Sequence, residues 1–362
     1  MSLWETGRGP GGRASTRRSR SDSMLRFDHG ANLFNITTQP LPKLLPTLME
    51  RGWVEPWTEA IAILSGSGEL RSLRTTDALL WGSCFRGQGG MENLCRGLLD
   101  VAADAVSPHF ETLIREMDRS GDCWVLKNAK GELVAEAERL VLTGTLLAHP
   151  RGTLTFGWSA PPLRVLAERL QHPWLNHVLA AIAAQRFEAR SALLLRLPPD
   201  AAALWQGLPF RLLDFAPSAQ QRWGLWRVSW QPLPDGSCAV VAHSSATFAA
   251  EHLSVYGSRS AMARQLGLLP PPGLEAQVIQ SLAHSLDEVM SLWLPRQTSP
   301  EGEQQLMRWG AAFPIAPGLP GELAWNQELG LGFCGDFMEG PGFGRVEGAM
   351  RSAEHLASHL LA

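Results

Sequence analysis

The feature that most constrains this chain lies at its end, where LGFCGDF runs into GPGFGRVEGAMRSAEHLASHLLA. Leu331 and Phe333, set among small residues, predict a short buried strand that stops at Gly335 and Asp336. Gly340, Gly342 and Gly344 predict a loop, and from Val346 onward Ala349, Ala353, Leu356 and Leu360 fall on one helical face. A strand, a glycine loop and a helix start, in that order, present unpaired backbone N–H groups and the positive end of a helix dipole. Two readings share these residues: a plain turn before a helix, or a seat for an anionic or electron-rich group. The small faces of Gly348 and Ala349 tip the balance toward a planar ligand lying against the helix start.

Length sets the frame for the rest. At 362 residues the chain has room for about two domains with a sizeable core and no need of staples. Hydrophobic residues at 45% and charged residues at 19% exclude wholesale disorder. A net charge of -3 gives no global attraction to nucleic acid or to an anionic membrane, and neither is expected as a partner. Five cysteines without a C-x-x-C pair argue for a reducing compartment, hence a cytoplasmic setting, and against a zinc site. No apolar run reaches the roughly 18 residues of a membrane span.

The opening MSLWETGRGPGGRASTRRSRSD is rich in arginine and glycine. It reads as a transit peptide, as a basic arm or solvated loop, or as something more structured. In the structured reading, Leu3 to Glu5 end a β-strand and Gly9 to Arg13 form a turn that lets backbone approach a phosphate. Glu5 would then be the acid that bonds ribose hydroxyls at the end of the second strand of a dinucleotide fold.

Further along, PLPKLLPTLMERGW predicts a short helix ending near Gly52, and GGMENLCRGLLDVAADA one whose stripe is Met91, Leu94, Leu98 and Val101. HFETLIREM, CWVLKN and ERLVLTG predict a β-meander ending at Gly144. From about 150 to 300 the texture changes to proline-separated helices and a hairpin that sets Trp226, Val228 and Trp230 on one face before a Pro234-Asp235-Gly236 turn.

Taken together, WETGRGPGGRASTRR with FDHGANLF near the start, Gly90-Met91 before a helix, and GFCGDF with GRVEGAMRSAEHLA at the end resemble the flavin amine-oxidase superfamily, most closely its renalase-like branch. The resemblance implies an α/β fold: a Rossmann-like FAD- or NAD(P)-binding domain, N-terminally incomplete, with a second domain of β-sheet and helices over the substrate. It implies a discontinuous FAD-binding domain of residues 1–48, 85–150 and 305–362, and a substrate or cap domain of 49–84 and 151–304. Carried over by position, Glu5 matches the acid on the adenosine ribose, and Gly11, Gly12 and Arg13 the element beside the pyrophosphate. Gly30, Ala31 and Asn32 match the segment beside the flavin, and Phe110 the backbone that holds adenine. Gly335 and Asp336 match the ribityl and phosphate region. Arg345, Val346 and Glu347 match the helix start whose N–H groups face the flavin N1/O2 edge, where reduced flavin carries negative charge. One departure stands out: the family's first strand and G-x-G-x-x-G loop, about 20 residues before the acid, are absent here, so an upstream start is expected for the biological protein.

Outside these motifs, His243 and Trp309 are candidates for the substrate cavity, each weighed against an ordinary structural role. His355 and His359 lack a third ligand nearby, so no metal is expected. No G-x-S-x-G elbow or Walker A loop occurs. The expected function is FAD-dependent hydride transfer from a small organic donor, an amine or a dihydronicotinamide-like compound, to flavin N5, with reoxidation by O2 or another acceptor. The resemblance requires no catalytic side chain for it. The alternative is a cofactor-free relic that binds or scaffolds. Oligomeric state is not legible.

Overall fold

The computed structural model describes residues 1–18, 25–255, 273–295 and 304–361, with no side-chain description for 154–156; Arg20 of the basic opening lies outside them. Its largest element is a seven-stranded sheet in the order Gln304–Ile315, Arg186–Leu197, Cys238–Ser244, Leu225–Pro232, Leu212–Phe215, Ile61–Leu64, Leu70–Arg71. Residues alternate across its two faces with the period of two that extended backbone dictates. Leu193, Leu195, Leu213, Phe215, Val228, Trp230, Val240 and Ala242 point to one side, where Val278, Leu282, Leu286 and Val289 of the helix Leu274–Met290 cover them. Arg190, Asp214, Arg227, Ser229 and His243 belong to the same strands and are buried or nearly so.

The hairpin departs from expectation at one residue. Its register shifts between Leu225 and Arg227, and this bulge sends Trp226 away from Val228 and Trp230. The Trp226 ring packs instead on His243, at 5.8 Å between centroids, and on Phe313, at 5.3 Å. A second difference concerns Gln304–Ile315, expected with the terminal segments. It pairs antiparallel with Arg186–Leu197 over nearly its whole length and is the edge strand of the large sheet.

The chain ends form smaller sheets. Ser2–Trp4 pairs in parallel with Ser107–His109. Leu140–Leu142 pairs in parallel with Leu331–Phe333, which also takes Trp325–Asn326 on its other side. The meander is present but uses Ile114–Ser120, Cys123–Asn128 and Leu133–Ala137; the third strand expected there leaves it for the parallel sheet. Helix Glu92–Ala102 buries Leu94 and packs with the short helix Leu45–Glu50 and the strands Phe34–Ile36 and Ser83–Gly87. The last helix, Val346–Leu361, closes the chain against Phe34–Ile36.

Candidate functional site

Both ends of the chain meet at one ion pair. Arg13 holds Asp336 through two parallel bonds of 2.6 and 2.7 Å and donates a third, of 2.9 Å, to the carbonyl of Ala312. Gly11 and Gly12, at φ of 121° and 52°, make the turn that delivers Arg13 there. The Arg13 carbonyl then accepts from Ala31 N–H at 2.9 Å. Gly30 must be glycine for this approach, because a Cβ at that position would stand 2.1 Å from the same carbonyl. Gly335, at φ of 145°, is fixed by Ser352, whose hydroxyl accepts from Gly335 N–H and donates to its carbonyl.

Glu5 follows the first strand and accepts from Gly7 N–H at 2.5 Å. Thr112 N–H bonds the Glu5 carbonyl and Glu111 N–H that of Gly7, so the two loops travel together. Beyond them Phe110, Arg8, Pro10, Trp53 and Arg96 line an open cleft of about 440 Å³.

At the start of the last helix the side chains of Arg345 and Glu347 are engaged by the chain itself, Arg345 with the Ala78 carbonyl and the Thr37 hydroxyl. The buried Glu347 carboxylate accepts from the N–H and hydroxyl of both Thr37 and Thr38, at 2.7 to 3.0 Å, and pairs with Arg345 and Arg351. Burial alone would raise its pKa, but these hydrogen bonds hold it down at about 2. Gly348 is needed for a reason different from the one expected. A Cβ there would meet the Gly342 carbonyl at 2.3 Å, so its small face makes room for the chain's own loop rather than for a ring. Gly342 accepts from Arg345 and Gly348, while the N–H groups of Val346 and Glu347 have no backbone acceptor among the described residues.

The segment 28–32 joins this region to the large sheet. Asp28 N–H and carbonyl exchange two bonds with the Gln231 side chain, at 2.8 and 3.0 Å. Its carboxyl turns back to the Thr16 hydroxyl and Met91 N–H, and burial raises its pKa to about 6. The His243 ring bonds the His29 backbone, and the His29 ring bonds that of Ser15. Nδ1 of each histidine is buried with no partner. Burial lowers their pKa values to about 3 for His243 and about 4 for His29, so both are neutral near pH 7. Trp309 lies 5.5 Å from His29 between centroids, and its Nε1 also lacks a partner. Arg227 pairs with Asp214 at 2.9 Å and Arg190 with Glu188 at 2.7 Å, and each guanidinium stands over the Trp226 ring. Arg227 Nη2, Arg190 Nε, Ser229 Oγ and Asn32 Oδ1 are further buried atoms without a partner.

The structure thus brings His243 and Trp309 into one cluster with His29, Asn32, Trp226, Arg190 and Arg227. Of these, His29 and the two arginines gave no separate sequence signal; His29 stands inside the FDHGANLF motif, and the arginines look like ordinary strand residues. His355 and His359 lie 3.3 Å apart on the last helix, and no group of three metal-ligating side chains occurs among the described residues.

No family model and no curated protein matches this chain. Solved structures do. Cyclohexylamine oxidase from Brevibacterium oxydans aligns with a TM-score of 0.61 at 11% identity, over 99% of this chain and 93% of that one. An oxidoreductase from Methanosarcina mazei gives 0.60 at 11% identity, over 100% and 94%. Putrescine oxidase bound to putrescine gives 0.56 at 11% identity, over 99% and 93%. At such identities the likeness is one of fold, and the fold is that of these oxidases.

Proposed function

We propose that this chain is a FAD-dependent oxidoreductase that takes a hydride from a small organic donor, in a cytoplasmic setting and within the domain division set out above, save that residues 304–315 go with the large sheet. The observation that carries the reading is the row of unpartnered buried atoms where segment 28–32 meets the large sheet. An unmade hydrogen bond on a buried polar atom costs about 1–3 kcal/mol, so a row of them fits a site completed by a ligand. His29 Nδ1, His243 Nδ1 and Asn32 Oδ1 accept, and Trp309 Nε1 donates, a mixture that suits the heteroatom edge of a planar ring system such as isoalloxazine. The free N–H groups of Val346 and Glu347 and the Arg13–Asp336 pair suit the rest of an extended dinucleotide. When bound, the flavin supplies a hydride acceptor.

The chain's own residues do the remainder. Trp226 and Trp309 flank the two neutral histidines, which offer bare nitrogens to an N–H or O–H of the donor. Asp28, Asp214 and Glu188, the carboxylates of this cluster, all have partners within the chain. A protonated amine would find no free counter-ion there, whereas a neutral, dihydronicotinamide-like donor needs none. The experiment is reconstitution of the purified protein with FAD, followed by anaerobic mixing with dihydronicotinamides and with aliphatic amines. Bleaching of the flavin band by the former supports the reading, bleaching by amines alone reverses the substrate preference, and failure to hold any flavin sinks the enzyme reading in favour of a cofactor-free binding protein.

A further inference from the structure

The charges around Asp336 do not balance. Both of its carboxylate oxygens are taken by Arg13. A second guanidinium, Arg151, stands close enough to feel both: its pKa is lowered to about 10, chiefly by burial, with the Arg13 charge also lowering it and Asp336 raising it. Arg151 has no carboxylate partner among the described residues. It lies 3.8 Å over the ring of Phe187, gives one N–H to the Thr145 hydroxyl at 2.9 Å, and leaves Nε buried without an acceptor. Two guanidinium groups thus share one carboxylate, and a half-buried cation is left beside a like charge.

The surroundings supply what an anion needs. Phe187 pairs with Pro314, two residues from the Ala312 carbonyl that Arg13 bonds, so both arginines stand at the same end of the same two strands. Gly344 donates to the Asp336 carbonyl at 2.8 Å, and a Cβ on it would stand 3.7 Å from Pro314, which brings the start of the last helix, with the open N–H groups of Val346 and Glu347, to that end as well. A planar guanidinium fork suits the paired oxygens of a phosphate.

We infer that Arg151, with Arg13, anchors a phosphate group at the junction of the Asp336 loop and the last helix. Arg151 belongs to none of the motifs that carry the family resemblance. The phosphate belongs to a dinucleotide only if the flavin reading above holds; the charge imbalance stands without it.

The test compares inorganic pyrophosphate, FAD and riboflavin as ligands of wild-type protein and of Arg151→Met and Arg151→Lys, by thermal shift and calorimetry. Pyrophosphate should stabilise the wild type, and Arg151→Met should weaken its binding about 10- to 100-fold, the effect of losing one or more charge-assisted bonds. Arg151→Lys, which keeps the charge and loses the fork, should fall between them. Riboflavin, which carries no phosphate, should be indifferent to both changes. Without ligand, Arg151→Met should be at least as heat-stable as wild type, because it removes a charge without a counter-ion of its own. If FAD and pyrophosphate both depend on Arg151, the phosphate is that of a dinucleotide. If pyrophosphate depends on it while FAD does not bind at all, the site takes another phosphate and the flavin reading fails alone. Pyrophosphate affinity unchanged in Arg151→Met, or a variant that merely loses stability while binding as before, overturns the inference.

Discussion

The two faces of the seven-stranded sheet are made by the same strands and are buried to a similar degree, yet they are finished differently. On one, leucine, valine and tryptophan side chains meet the helix Leu274–Met290, and the polar tip of Trp230, Nε1, reaches the Phe210 carbonyl. On the other, Arg227, Arg190, Ser229 and His243 make some bonds and leave others open. An apolar face is complete once covered, whereas a polar face is complete only when each donor and acceptor is met. The first face therefore makes the fold stable, and the second bears a cost that a bound ligand or ordered water would remove.

Replacing residues on each face should expose that contrast. The largest effect is expected on the covered side: Trp230→Ala removes a buried ring and its hydrogen bond and should cost about 3–5 kcal/mol in denaturant unfolding. On the open side, Asp214→Asn strands the buried charge of Arg227 and should cost about 3 kcal/mol, which the same measurement reads. A matched Asp214→Leu, Arg227→Met pair should recover most of it, and failure to recover would show that the pair does more than neutralise itself.

Acid should weaken the open face selectively. His29 and His243 have pKa values of about 4 and about 3 in the fold against an ordinary 6.5, so between those values the unfolded chain takes up protons that the fold refuses. Their contribution is fully present above pH 6.5 and is lost as pH falls. Asp28 opposes them: with its pKa raised from 3.8 to about 6, it keeps a proton in the fold that the unfolded chain releases, and its contribution shrinks as pH rises through that interval. Two groups against one leave stability rising by roughly 1.4 kcal/mol per pH unit between about pH 4 and pH 6. Unfolding curves across that range check the slope, and His243→Leu should flatten it.

The smallest change expected is that of His243→Leu at neutral pH. Removing a neutral, half-satisfied ring should shift stability by no more than about 1 kcal/mol while altering donor binding. A loss as large as that of Trp230→Ala would erase the distinction between the faces.

What could be read in advance followed how local each signal is. The helix at Glu92–Ala102, the Asp235-Gly236 turn and the strand, loop and helix of the C-terminus rest on spacing and on glycine, both written within a few residues. Trp226 was misplaced because a bulge overrides period-two spacing, and nothing in WRVSW marks one. The pairing of Gln304–Ile315 with Arg186–Leu197 joins segments more than a hundred residues apart, which no local pattern encodes. Gly348 shows a correct residue with a wrong reason: its size mattered, but the neighbour it spares is Gly342. Arg13 and Asp336 were legible as motif residues, although their direct contact was not. Arg151 was invisible, because a buried guanidinium is identified by the counter-ion it lacks, and that is a fact of three dimensions.

The segment from Asp28 to Thr38 is held at both ends, by Gln231 on the sheet and by Glu347 on the last helix. A tether fixed at two points ties the motions of what it joins. Drawing the sheet and the terminal helix apart beyond the slack of these few residues requires breaking one set of these bonds.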